Sequence, residues 1–375
     1  MTHRENILAV YRGKPTETVP FMLDLSHWFY HKNRQPWDLS VAYIEPEHDL
    51  IKYHRRHDVG FYLPNLASFF DTTWAEDVVS TVERKDAGSA QIAWRFDTAL
   101  GSISRTRVWE DVSYSWAIGE WGVKTERDIR VLASALKDRR FTPAWDRYAK
   151  WVGEVGDLGV VYLSAGYSAM GYLLSLWMGI EAVMFQAADN PDLLHEAVDD
   201  INRSNLRLID LLSQSPGEVI LLGDNFSSDI QSPRFFREWS KPYYREAVRR
   251  LHAAGKHVAV HVDGRMKGLL REFAEIGVDC IDAVTPRSSG DLSPMQCRKE
   301  AGPDVILSGG VAPHFWTHDA SDHEFEKAVL DWLELRHESP RLIANAGDQV
   351  PPDAREHRIG MMRELVAGHG RYGCG

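Results

Sequence analysis

Several short apolar runs of this chain end in histidine, aspartate or asparagine, which are side chains that can bind substrates or metal ions. The sharpest example is Val-Ala-Val-His-Val-Asp-Gly at residues 258–264. Alternate residues of a β-strand point to the same face, so His261 and Asp263 are expected to project together, with Gly264 allowing a turn behind them. Such a pair can bind one metal ion or one substrate hydroxyl, or can form an orienting His–carboxylate hydrogen bond without a metal. These residues alone leave both interpretations open.

A second apolar run, at residues 342–345, ends in Asn345-Ala346-Gly347-Asp348. The spacing places a carboxylate in a tight turn directly after a strand. Aspartate in such a turn often caps the following helix. Because Pro351, Pro352 and Asp353 already offer helix-start residues, Asp348 is predicted to be available to a pocket.

Polar residues follow other apolar runs as well, and each has a structural alternative. Gly223-Asp224-Asn225 could bind a polar substrate or simply form a loop, and His27 has Trp28 and Phe29 beside it, which favours packing. From these positions the predicted catalytic residues are Asp224, His261 and Asp348. The predicted substrate-binding residues are Asp24, His27, Tyr167, Asn225 and Asn345.

The elements that must position these residues alternate between short strands and longer helical stretches, which is typical of a (β/α)8 TIM barrel. The strands of such a barrel end at one mouth, where reactive residues gather. Helices are predicted at residues 180–189, 191–214, 233–254, 266–276 and 323–336. The eight predicted strands are Val19–Leu25, Val59–Leu63, Val160–Ser164, Val219–Gly223, His257–Val262, Cys280–Val284, Val305–Ser308 and Leu342–Asn345.

One region breaks the alternation. Residues 79–118 contain short alternating segments around the turn-like Gly101-Ser102, and such segments do not build crossover helices. A small antiparallel β insertion is therefore predicted after the second strand. The whole chain, residues 1–375, is predicted to be a single barrel domain carrying this insertion.

Composition limits the function further. The chain has 375 residues, 44% hydrophobic and 26% charged, with a net charge of -11. This acidic balance argues against nucleic acid or an anionic membrane as a partner. Three cysteines, Cys280, Cys297 and Cys374, indicate a reducing compartment, and no run of eighteen uncharged apolar residues occurs, so a cytoplasmic location is expected. No phosphate loop, Rossmann fingerprint or G-x-S-x-G elbow is present.

In this order and spacing the motifs resemble the uroporphyrinogen decarboxylase superfamily, whose members are (β/α)8 barrels. The resemblance covers nearly the whole chain and implies a homodimer. It is carried by Arg4 to Leu8 with Arg12-Gly13 and Val19-Pro20-Phe21, by Gly223-Asp224-Asn225 with Ser232 to Phe236 and Pro242-Tyr243, by His261-Val262-Asp263-Gly264, by Gly277-Val278-Asp279, by Gly309-Gly310, and by Asn345 to Asp348.

The chain departs from both well-known chemistries of that superfamily. The decarboxylase has an arginine-rich Arg-Gln-Ala-Gly-Arg segment that clamps substrate carboxylates, and here that stretch is Leu25 to Phe29. It also has a histidine where Asp348 stands. The coenzyme M methyltransferases bind zinc through His-x-Cys-Gly and a later cysteine, and here Asp263 and Asp348 occupy the cysteine positions. The resemblance therefore implies a metal set of His261, Asp263 and Asp348, suited to zinc, to another divalent ion or to none.

The predicted function is enzymatic transfer of a methyl group between a small O- or N-methylated compound and a corrinoid such as cobalamin, nearer to the methyltransferase members than to the decarboxylase. The chain has no corrinoid-binding Asp-x-His-x-x-Gly segment, so the corrinoid is expected free or on a separate protein. Two alternatives stay open. One is a cofactor-independent decarboxylase or lyase acting on a small organic acid, and the other is a non-catalytic ligand-binding barrel.

Overall fold

A parallel sheet of six strands forms most of a barrel in the computed structural model, which describes residues 1–86 and 89–373. Neighbouring strands follow the chain order, and each pair is parallel. In order across the sheet the strands are Leu342–Ala346, Ile306–Val311, Cys280–Val284, His257–Val262, Val219–Phe226 and Leu163–Ser164.

Two further segments close the barrel, but they do not form the full strands predicted at Val19–Leu25 and Val59–Leu63. They pair through single parallel bridges, Phe21 with Ala344, Met22 with Gly60, and Phe61 with Gly159. Pro20 has no N–H to donate, which shortens the first ladder. Eight parallel segments thus complete a TIM barrel, as predicted.

Glycine is required where these segments meet. A Cβ atom at Gly60 would overlap the carbonyl oxygen of Phe21, and one at Gly159 would overlap that of Phe61. The barrel therefore closes through backbones that approach too closely for any side chain between them.

Helices cover the outside of the barrel and follow the predicted pattern. The predicted helix at residues 233–254 is helical from Pro233 to Ala253 but contains a π-helical stretch, Phe236–Ser240. Ser232 caps the start of this helix, because its side chain accepts a hydrogen bond from Phe235 N. The α-helices of at least seven residues are His3–Tyr11, Ser26–Lys32, His48–His57, Glu126–Lys137, Trp145–Val155, Ile180–Asp189, Pro191–Ser213, Lys241–Ala253, Leu269–Glu275, Pro294–Ala301, Asp322–Leu333 and His357–His369.

The predicted β insertion is a four-stranded antiparallel sheet, named here the insertion sheet. Its strands, in spatial and chain order, are Val79–Lys85, Gln91–Thr98, Gly101–Glu110 and Ser115–Glu120. A short antiparallel pair, Phe70–Thr73 with Arg140–Pro143, joins the chain before the sheet to the chain after it. One face of the sheet packs on helix Glu126–Lys137.

The barrel interior is filled by aromatic and aliphatic side chains at its lower end. Tyr11 of the first helix donates or accepts a hydrogen bond of 2.8 Å with Tyr162 inside the barrel. Cys280 belongs to this buried layer, Cys297 is also buried, and Cys374 lies outside the described residues. Among the described helices, none combines the length and the apolar character needed to cross a bilayer. The assignment of the whole chain to one domain stays a prediction.

Candidate active site

A cavity of about 300 Å³ opens at the carboxyl ends of the barrel strands, and it is called the mouth cavity here. It is large enough for a small organic molecule. Five residues predicted from sequence line it, namely Asp24, Tyr167, Asn225, His261 and Asp348, together with Asn65 and Gln349.

His261 lies between two carboxylates. Its Nδ1 donates toward Asp282 Oδ2 at 3.4 Å, and its Nε2 faces Asp348 Oδ1 at 3.7 Å. The side chain of His261 is 16% exposed, whereas that of Asp282 is fully buried. The imidazole is therefore oriented from behind by one aspartate and presents its other nitrogen to the cavity beside the second.

Asp282 is itself fixed by a chain of hydrogen bonds across three strands. Ser308 Oγ donates to Asp282 Oδ1 at 2.9 Å, and Asn345 Nδ2 donates to Ser308 Oγ at 3.2 Å. Asn345 Oδ1 accepts from Ala346 N at 2.8 Å. All three side chains are buried beneath the mouth cavity, so Asn345, which was predicted to contact substrate, supports His261 through its neighbours.

The electrostatics of His261 and Asp348 favour the protonated form of each side chain. Burial alone would lower the pKa of His261, but Asp282 and Asp348 outweigh it and raise the pKa to about 9. Burial at the mouth raises the pKa of the Asp348 carboxyl to about 7, against the opposing charge of His261. Both groups can therefore carry a proton near neutral pH, which is what an acid catalyst needs.

Asp24 is buried against the rim of the mouth cavity. Its Oδ1 accepts from Ser26 N at 3.0 Å and from Ser26 Oγ at 2.6 Å, and Asn65 Nδ2 donates to its Oδ2. These bonds fix the carboxylate in place. Gln349 Nε2 also reaches Ser26 Oγ, at 3.3 Å, which connects the loop after the first barrel segment to the turn that holds Asp348.

The strand that carries Asp224 and Asn225 is irregular at its end. Its register to the next strand shifts between Gly223 and Phe226, and Asn225 has a φ of 50°. Asn225 is exposed and lines the mouth cavity. The bulge thus points Asn225 at the cavity, in a backbone conformation that asparagine tolerates better than most residues.

Asp224 is 3% exposed and lines a second, larger cavity that is described below. Its carboxylate accepts from Ser168 N at 2.6 Å and also from Ser168 Oγ. Burial raises the pKa of Asp224 to about 7, although the Ser168 bonds oppose the rise. The geometry makes Asp224 an anchor for the helix start at Ser168, and its catalytic role stays a prediction.

His27 is not among the residues that line the mouth cavity. Its Nε2 donates to the carbonyl oxygens of Ser113 and Tyr114 at 3.2 and 3.1 Å, and its ring stacks on Trp37 with centroids 5.0 Å apart. Burial lowers the pKa of His27, which favours the neutral ring. The residue ties the first barrel segment to the insertion, as the neighbouring aromatic residues indicated.

The three predicted metal ligands are not arranged as a ligand set. The strand ends at Val262, so Asp263 is exposed and does not line the mouth cavity. Within residues 1–86 and 89–373, no group of three or more His, Cys, Asp or Glu side chains could hold a metal ion. His261 and Asp348 alone supply two donors, which is fewer than structural or catalytic zinc sites use.

Sequence reasoning missed the buried supports of His261. Asp282 stands within the strand Cys-Ile-Asp-Ala-Val, and Ser308 within Ile-Leu-Ser-Gly-Gly-Val. A carboxylate at a position that is otherwise apolar is the signal that could have identified Asp282, because a buried charge needs a partner.

A larger cavity, of about 550 Å³, lies beside the first and shares Asn225 with it. It is named the side cavity here. Its walls are mostly apolar and come from the chain after the insertion sheet, from helix Ile180–Asp189 and from the loop after Asn225. Trp121, Leu174, Ser175, Met178, Ile180 and Phe185 contribute to it.

Comparison with known proteins places this geometry in a family. No curated protein sequence matches the chain. Among solved structures, a methyltransferase from Methanosarcina mazei has a TM-score of 0.64 at 14% identity, and the match covers 98% of this chain and 99% of that one. D-psicose 3-epimerase from Clostridium cellulolyticum H10 has a TM-score of 0.35 at 11% identity, covering 65% of this chain and 83% of that one. The sequence model described as uroporphyrinogen decarboxylase (URO-D) matches residues 160–369, which is more than half of the chain and includes Asp282, His261 and Asp348. The chain therefore belongs to the uroporphyrinogen decarboxylase family.

Proposed function

We propose that this protein transfers a methyl group from a small O- or N-methylated compound to a corrinoid. The observation that carries the proposal is the His261–Asp348 pair facing the mouth cavity, with Nε2 and Oδ1 separated by 3.7 Å. The likeness of the whole fold to the methyltransferase from Methanosarcina mazei supports it.

The chemical need is protonation of the leaving atom. When a C–O or C–N bond to a methyl group breaks, the heteroatom takes the bonding electrons, and an alkoxide or amide is a poor leaving group without a proton. His261 Nε2 and Asp348 stand at the cavity wall where that heteroatom would lie. Asp282 holds the imidazole from behind, so that Nε2 stays directed at the substrate.

The corrinoid, when bound, supplies the electron pair that accepts the methyl group. A mouth cavity of about 300 Å³ accommodates a small methylated molecule but not a corrin ring. The corrinoid therefore has to reach the methyl group from outside the barrel, either free or on a separate protein. The residues of this chain bind the methyl donor, exclude water around it and hold the proton.

Zinc or another divalent ion is not needed for this proposal. His261 and Asp348 are two donors, and Asp263 does not complete the set in the described part of the chain. A histidine that is hydrogen-bonded to one carboxylate and faces a second serves better as a proton donor than as a metal ligand, because a ligand nitrogen has to be deprotonated. Metal binding, homodimer formation and a cytoplasmic location stay predictions.

Decarboxylation of a substrate with many carboxylates fits the mouth cavity poorly. Its described lining contains Asp24, His261 and Asp348 but neither arginine nor lysine. Several carboxylates beside Asp24 and Asp348 would repel each other, since nothing in that lining replaces a guanidinium clamp.

The experiment mixes the purified protein with cob(I)alamin and a panel of methyl donors, namely methanol, methyl ethers and methylamines, and follows the absorption change of methylcobalamin formation. The wild-type protein should convert at least one donor. His261→Gln and Asp348→Asn should each slow the reaction about 100-fold, within the usual contribution of a positioned acid.

His195→Gln is the matched control, since His195 stacks on Trp239 with ring centroids 3.9 Å apart and does not line the mouth cavity. It should react at the wild-type rate. Release of carbon dioxide from an organic acid without any corrinoid would overturn the proposal and identify the protein as a decarboxylase. Tight corrinoid binding with no product from any donor would overturn it and identify a ligand-binding barrel.

A further inference from the structure

The insertion sheet carries two arginines on the face that packs against the chain following the third barrel strand. Arg105 and Arg107 are alternate residues of strand Gly101–Glu110, so they share a face. Arg107 donates from Nη1 to Trp116 O at 2.8 Å and from Nη2 to Ser175 O at 3.2 Å. Ser175 also lines the side cavity, so the Arg107 guanidinium is one hydrogen bond away from the wall of that cavity.

Arg105 is the unusual member of the pair. It is 8% exposed, and its Nε and Nη1 atoms are buried with no hydrogen-bond partner. The guanidinium lies over the ring of Trp94 at 4.0 Å and over that of Trp177 at 5.3 Å. Within the described part of the chain, no Asp or Glu pairs with either Arg105 or Arg107.

The contacts that Arg105 does make cannot compensate for its burial. A cation–π contact is weaker than the hydration that a guanidinium loses on burial. The like charge of Arg107 adds to the cost of burying Arg105. Burial and then the charge of Arg107 lower the pKa of Arg105 to about 9, as expected for a cation without a counter-ion. An anion bound between the two guanidinium groups would supply the counter-ion that Arg105 lacks.

We propose that Arg105 and Arg107 bind the carboxylate of the substrate, and that the methyl donor is therefore a carboxylic acid with an apolar body. The proposal rests on the proposed function, because it names the substrate class of the same site. The side cavity supplies the place for the apolar body through Trp121, Leu174 and Met178.

Shared residues connect Arg107 to the two cavities and to His261. Ser175 connects Arg107 to the side cavity, and Asn225 lines both the side cavity and the mouth cavity. Tyr167 lines the mouth cavity, and the charge of Arg107 influences the pKa of its hydroxyl. These shared residues are the reason to propose one molecule that reaches from the guanidinium pair to His261.

The test measures binding without turnover. Cyclohexanecarboxylate is titrated into the protein by calorimetry and by tryptophan fluorescence, since Trp94 and Trp177 contact Arg105. Cyclohexylmethanol serves as the neutral analogue. The carboxylate should bind the wild-type protein at least tenfold more tightly than the alcohol. Arg105→Met and Arg107→Met should each weaken carboxylate binding at least tenfold and leave binding of the alcohol unchanged.

Arg95→Met is the matched control, because Arg95 is on the neighbouring strand, half exposed and paired with Asp97 at 2.5 Å. It should bind the carboxylate as the wild type does. Arg105→Lys retains the charge and should retain most of the binding, which separates a charge effect from loss of folding. Equal binding of acid and alcohol, no binding of the acid, or unchanged binding in Arg105→Met and Arg107→Met overturns the anion site. None of these readouts uses a corrinoid, so failure of methyl transfer leaves the inference to be judged on binding alone.

Discussion

Asp282 and His261 occupy neighbouring barrel strands, directly opposite each other, and their side chains meet at 3.4 Å. The contact holds the imidazole ring at the mouth from a position that substrate cannot reach. Ser308 in turn fixes Asp282, at 2.9 Å. The proposed acid catalysis at Nε2 would thus depend on two buried residues that do not line the cavity.

Asp282→Asn should lower kcat for methyl transfer about 100-fold and change KM little, because the ring loses its charged anchor while the cavity wall stays intact. Steady-state kinetics with saturating corrinoid and a single donor measure both constants. Ser308→Ala, which removes only the support of Asp282, should show a smaller loss. An Asp282→Asn enzyme with the wild-type kcat would contradict the role given to Asp282.

Closure of the barrel at Gly60 should be sensitive to a single methyl group. Gly60→Ala forces a Cβ atom into the carbonyl oxygen of Phe21 and should destabilise the fold by about 3 kcal/mol or more. The control is Gly153→Ala in helix Trp145–Val155, where a Cβ atom meets nothing within 4 Å, and alanine should stabilise by up to about 1 kcal/mol. Urea denaturation gives both values. Equal stability of the two variants would contradict the close approach of the backbones at Gly60 and Phe21.

Asp279 should make stability depend on acid pH. His252 Nε2 donates to it at 2.8 Å and Val258 N at 2.7 Å, and despite partial burial these bonds hold the pKa of Asp279 well below its usual value. A carboxyl with a depressed folded pKa adds stability above its unfolded pKa near 4, and that stability is lost as the pH falls below 4 toward the folded pKa.

The contribution of Asp279 at neutral pH should be about 2–4 kcal/mol. The fall in unfolding free energy between pH 6 and pH 3 should therefore be smaller in the variant Asp279→Asn than in the wild type, by about 1 kcal/mol. Denaturant titrations at the two pH values measure this difference, with the exposed Asp199→Asn as control. If Asp279→Asn and the wild type lost equal stability between these pH values, the lowered pKa would be refuted.

His27 should matter for the attachment of the insertion and not for substrate binding. His27→Ala removes the bonds to Ser113 and Tyr114 and the stacking on Trp37, and should destabilise the protein by about 1–3 kcal/mol. Thermal unfolding measures the loss. KM for the methyl donor should stay within about twofold of the wild type, and a large rise in KM would restore His27 as a substrate contact.

The barrel and the insertion were predictable because their signals are local. Continuous apolar runs mark buried parallel strands, and the alternating segments around Gly101 mark an antiparallel sheet. His261 and Asp348 were found because they end such runs. Full strands were predicted at Phe21 and Phe61, but each segment forms only single bridges. A run of β-forming residues does not reveal how many backbone hydrogen bonds the neighbouring segments can make with it.

Other parts of the site depend on contacts between distant residues. Asp263 follows His261 at strand spacing, yet the strand ends before it, so alternation no longer sets its direction. The partner of His261 is instead Asp282, 21 positions later in the chain. Arg105 was unremarkable in sequence, and only packing against Trp94 and Trp177 shows that its charge is buried.

The two proposed functions of the site, ligand selection and proton donation, lie in two different segments of the chain, the insertion sheet and the barrel. The barrel carries the proposed proton donors, and residues between the second and third barrel segments carry the groups proposed to select the ligand. Substitutions at positions 105 and 107 can then alter which compound is accepted while the proton donors keep their geometry. Diversification of related enzymes should consequently concentrate in this inserted segment, and exchanging it between two such proteins should exchange their substrate preference.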